Sequence, residues 1–206
     1  LSAFDKDPER VKVRLQEEID AWRRGQREWQ EAAPDAEALY LVGNHEDRLR
    51  RYIWQHPELA GLDALRLPNL LGLPELGYRW EEHKGENANL EFDLGFALLK
   101  HGQYVRKFSA MSARAELEAE FHAISVLSGH THRGGEYFVT TRNGTVRAVE
   151  CFCLCRLDPP YLQHPNWQQG LVLAEFINGA LSIESIPFQA DGDRRRAIWR
   201  GKEYHS

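Results

Sequence analysis

Apolar residues recur at helical spacing early in the chain. Val11, Leu15, Ile19, Trp22 and Trp29 share one face of a stretch that predicts a helix over residues 8–30. Asp7 is a good N-cap for it and Pro8 a good first helical residue, and Pro34-Asp35 ends it. The apolar run at residues 38–42 then reads as a buried strand that stops at Gly43-Asn44-His45-Glu46. A second helix is predicted over residues 47–55, with Leu49 and Ile53 facing inward. Residues 57–76, rich in Leu and Pro, read as short helices and turns, and the polar residues 78–91 as a loop. Two more apolar runs, 96–100 and 123–128, predict strands ending in His101-Gly102 and Gly129-His130-Thr131-His132, with a helix over 112–121 between them. Asn143-Gly144 and Asn178-Gly179, flanked by β-branched and aromatic residues, signal two hairpins. Strands alternating with helices and followed by hairpins predict an α/β fold closing on antiparallel sheet.

Composition changes this picture little. The 206 residues suffice for one domain with a substantial core, and a single domain over 1–206 is expected. A hydrophobic fraction of 42% and a net charge of −5 give no basic excess, so nucleic acid is a possible partner that charge does not indicate. The clusters Arg48, Arg50, Arg51 and Arg194 to Arg196 read first as solvated faces. No apolar stretch is long enough to span a bilayer, so no membrane partner is expected. Cys151, Cys153 and Cys155 alternate within five residues, a spacing and an odd count that do not suit a disulfide framework, and a reducing cytoplasm fits best.

The chemistry lies where strands end. Three of them stop in a short glycine-containing turn that bears histidine: His45, His101, and the pair His130 and His132. In open α/β architectures the loops beyond the carboxyl ends of strands line one crevice. Neutral imidazole and carboxamide oxygen are good ligands for Zn, Mn or Fe, and glycine beside a ligand lets the backbone approach an ion. Singly, each turn is a weak signal, since a strand-end histidine is more often structural; their ordered combination is the stronger one.

Taken in order, Gly43-Asn44-His45-Glu46, His101-Gly102 and Gly129-His130-Thr131-His132 resemble the last three motifs of the calcineurin-like metallophosphoesterases. Residues 153–159 with 165–170 further resemble phosphoesterases carried by phages and prophages. The resemblance implies an αββα sandwich of two mixed β-sheets flanked by helices. It also implies metal-dependent hydrolysis of a phosphoric ester at a site holding two divalent ions (Mn, Fe or Zn). By that likeness Asn44, His101 and His130 ligate the second metal and His132 the first. His45 stabilises phosphoryl charge or protonates the leaving oxygen while a metal-held hydroxide attacks in line, and Arg48 could reach the phosphate.

The family's opening motifs, Asp-x-His and Gly-Asp-x-x-Asp, do not occur in these 206 residues. A domain lacking its first strands is therefore expected, since those motifs belong upstream of Leu1. An inactive remnant acting as a binding domain is the alternative, and a mononuclear His/Asn metal protein a weaker one. Glu46 reads as a helix-start carboxylate, the three cysteines as small apolar groups sharing one face of a strand, and Trp167 as a packing residue that could line a cleft.

Overall fold

The computed structural model describes residues 15–81, 91–159, 162–192 and 194–206. The start of the first predicted helix and most of the loop expected before residue 91 lie outside them. The fold is mixed α/β, with several separate sheets and no barrel among the described residues. The chain divides into two compact units, residues 1–90 and 91–206.

In the first unit, α1 (Leu15–Ala32) buries Ile19 and sets Trp22 against Tyr40 and Tyr78, with ring centroids 5.7 and 6.1 Å away. Those tyrosines belong to β1 (Ala38–Tyr40) and β2 (Tyr78–Trp80), which pair in parallel. β2 corrects the loop expected there: tertiary pairing makes a three-residue strand of Tyr-Arg-Trp, too short and too polar to show a period of its own. Between the strands lie α2 (Asn44–Gln55) and α3 (Leu67–Leu71), the latter capped by Arg23 donating to the carbonyls of Asn69 and Leu70, each at 2.7 Å.

The second unit is built on one five-stranded sheet. β4 (Ala97–Lys100), β5 (Ser125–Ser128) and β7 (Gly144–Cys151) run parallel at its centre. β3 (Glu91–Asp93) and β6 (Gly134–Thr141) close it as antiparallel edges, in the order β3-β4-β5-β7-β6. Alternation along the central strands splits their side chains between two layers. Leu98, Val126 and Ala148 pack under α4 (Met111–Ala119) against Ala113 and Leu117. Ala97, Leu127 and Val149 face the other way, onto Ile183 of the hairpin β8–β9 (Gly170–Ile177, Ala180–Pro187). That hairpin turns on Asn178 and Gly179, at φ of 51° and 82°, the pair of left-handed residues that a two-residue turn with right-handed strand twist requires. Three short strands, β10 (Gln189–Asp191), β11 (Arg194–Trp199) and β12 (Lys202–His205), form a further antiparallel sheet.

Candidate metal-binding site

Because β4, β5 and β7 are parallel neighbours, the residues that follow each of them leave the same edge of the sheet. After β4 comes His101, after β5 come His130 and His132, and after β7 come Cys153 and Cys155.

His101 and His130 meet directly. Nε2 of the first lies 3.1 Å from Nδ1 of the second, with the rings edge-on. Two nitrogen donors each about 2.1 Å from one ion and at a right angle to each other stand about 3.0 Å apart, so this spacing suits a shared cation. The turns behind the rings are firmly held. Buried Glu116 of α4 accepts the backbone N–H groups of Gln103 (2.5 Å) and Tyr104 (3.0 Å), fixing the chain just past His101-Gly102. Gly102, at φ 92°, adopts a conformation closed to other residues at little strain. Gly129 donates to the Lys100 carbonyl at 3.3 Å, tying the second turn to the end of β4. Burial and the neighbouring His132 hold the His130 imidazole below its ordinary pKa, Glu116 opposing, which keeps the ring neutral and able to ligate.

His132, two residues on, has different company. Its Nδ1 lies 3.7 Å from Sγ of Cys155, and its ring stands edge-on to Trp167 at 4.4 Å between centroids. Ligand atoms of His132, Cys153 and Cys155 all fall within 4.8 Å of one another. This corrects the expectation that the three cysteines share a strand face. β7 ends at Cys151, and Phe152, at φ 62°, turns the chain so that Cys153 and Cys155 leave the sheet. Only Cys151 behaves as a small apolar group, its thiol pushed up to about 12 by burial. Cys155 is lowered to about 5 by the hydrogen bond from Cys153 and by His132, while the Cys153 thiol is raised by the same bond and by burial. The sequence reading takes the cysteines for apolar packing groups although Cys153 and Cys155 follow a strand as the histidines do; the signal is the strand end itself.

His130, His132 and Phe152, at φ 65°, 59° and 62°, are left-handed without being glycine. Such residues cost of order 1–3 kcal/mol each and persist only where surroundings over-determine them. Here Gln168 supplies the constraint. Its N–H donates to the His132 carbonyl at 2.9 Å, its carbonyl accepts the Cys153 N–H at 3.1 Å, and its Oε1 accepts the Gly134 N–H at 3.1 Å.

Asn44, His45 and Arg48 lie in the first unit, on the opening turns of α2, with Asn44 and His45 exposed. Glu46 caps this helix: Oε2 accepts the Gly43 N–H and Oε1 the Tyr40 hydroxyl, each at 3.0 Å. His45 lines an apolar cleft with Leu15, Ile19, Trp22 and Leu70. Of the expected set, then, the structure joins His101 to His130 and gives His132 to the cysteines, while Asn44, His45 and Arg48 share one helix start. No helix among the described residues is long and apolar enough to cross a membrane. Comparison with known protein families, with curated proteins and with solved structures finds no match.

Proposed function

We propose that the protein hydrolyses phosphoric esters with the help of divalent metal ions, within the calcineurin-like αββα architecture that its motifs resemble. The observation that carries this reading is the His101–His130 contact of 3.1 Å at the carboxyl ends of adjacent parallel strands. Two imidazoles so held suit Mn, Fe or Zn. Two such ions, when bound, supply the positive charge that acidifies water and neutralises phosphoryl oxygens.

The chain's own residues have distinct tasks in this reading. His101 and His130 hold an ion, whereas His132 turns its Nδ1 to sulfur. His45, exposed on the opening turn of α2, carries the proton-donor role that the resemblance implies. The N-terminus of α2, with Arg48 one turn in, is a helix start that suits an anionic group. The test is hydrolysis of mono- and bis-nitrophenyl phosphate by the protein as encoded, with Mn²⁺ added. Turnover that His130→Ala and His101→Ala each reduce by about 100-fold or more supports the reading. Turnover indifferent to both substitutions defeats it.

A further inference from the structure

We propose that His132, Cys153 and Cys155 form a second and separate metal site, taking one soft divalent cation of the zinc class through one imidazole nitrogen and two thiolates. The geometry is the first argument. A tetrahedral ion bound at about 2.1 Å to nitrogen and about 2.3 Å to sulfur sets those two donors about 3.6 Å apart. His132 Nδ1 and Cys155 Sγ stand 3.7 Å apart, and the remaining separations lie within 4.8 Å, so small side-chain rotations complete the polyhedron.

The second argument is the backbone. The ligands come from turns after two adjacent parallel strands, β5 and β7, and each turn departs from its strand through a left-handed residue. Gln168 bonds to both turns, and the Gln169 side chain donates to the Cys155 carbonyl at 2.7 Å, so the donors are placed by main-chain contacts that need no ion. The third is donor chemistry. Two sulfurs select zinc, cadmium or cobalt over magnesium or manganese, whereas the His101–His130 pair is nitrogen only. Three protein ligands, with Cys155 exposed, leave a fourth position for water or a solvent-borne ligand. As the cation enters, any thiol still protonated yields its proton to solvent and no electron is transferred.

The site does not depend on the hydrolytic reading, and the test keeps the two apart. Reduced, metal-free protein is titrated with Co²⁺. The expected result is saturation of a sulfur-to-cobalt charge-transfer absorption at about one equivalent, displaced by Zn²⁺. Cys155→Ser and Cys153→Ser should each lose that absorption while keeping the wild-type metal-free melting temperature, which shows that they fold. His101→Ala and His130→Ala should retain it, whatever happens to phosphoester turnover. Absence of the absorption in reduced wild type overturns the proposal, as does its persistence in the Cys153→Ser, Cys155→Ser double variant. A Cys153–Cys155 disulfide that survives reductant, read by thiol counting, overturns it as well.

Discussion

His130 and His132 belong to one turn and are separated by a single threonine, yet they face different chemistry. His130 turns to another imidazole over a buried carboxylate; His132 turns to two thiols and a tryptophan edge. The difference does not come from the turn, since both residues share the same left-handed backbone. It comes from which neighbouring strand end each one meets: His130 the end of β4, His132 the end of β7. A central parallel strand thus offers its loop two partners, and alternate residues can serve two sites. Donor type then decides what each site prefers, nitrogen for borderline ions and sulfur for soft ones.

The largest test of this contrast is a crossed pair of substitutions. His130→Ala should remove phosphoester turnover and leave soft-metal binding, whereas Cys155→Ser should do the reverse, each loss being about 100-fold or more. Equal damage to both activities by either variant would merge the two sites into one. His45 sharpens the comparison as a histidine given no metal at all. His45→Ala should leave metal content unchanged and slow a poor leaving-group ester by roughly 10²–10⁴-fold, with a nitrophenyl ester suffering less. Equal losses on both esters would remove its role as an acid.

Gly134→Ala is a smaller and more local probe. A Cβ there would stand 1.9 Å from the Phe152 ring, which precedes Cys153, so the ring must move. The expected cost is about 1–3 kcal/mol by chemical denaturation. Soft-metal affinity should weaken with it while the His101–His130 pair still supports turnover. The mildest effect concerns acid. The His130 imidazole is held below its ordinary pKa of about 6.5, to which it returns on unfolding. Below about pH 6.5 the unfolded chain binds more protons than the folded one, so this contribution is complete above that pH and is lost as pH falls. His130→Gln should flatten the decline in metal-free melting temperature on acidification, and an unchanged profile would place the burden on other groups.

Much of the second unit was legible in the sequence because its physics is local. The runs at 96–100 and 123–128 are apolar without alternation, as strands covered on both faces must be, and they appear as β4 and β5. The hairpin β8–β9 followed from Asn178-Gly179 for the same reason. What was not legible depends on partners distant in sequence. β2 is a strand only because β1 lies beside it, and β10 and β12 are short and exposed. In the site, His101, His130 and His132 stood out as strand-end histidines. The cysteines were misplaced because period-2 parity assumes extended backbone, and nothing in the letters Cys-Phe-Cys marks Phe152 as left-handed. Glu116 was hidden likewise, one more acidic residue on a helix until burial showed it bracing the turn after His101.

The contacts of Gln168 also bear on the order in which the protein assembles. Its bond to His132 joins residues 36 positions apart (168 − 132), and its bond to Cys153 joins residues 15 apart (168 − 153). Closing such loops carries an entropic cost that native contacts repay only once the strands beneath are paired. The two ligand turns hang from the ends of β5 and β7, so they take their native places only once those strands have paired. A nascent chain holds Cys153 and Cys155 near each other throughout, but acquires His132 beside them only as β5 and β7 pair. Capture of a soft ion in the native arrangement thus reports completion of folding.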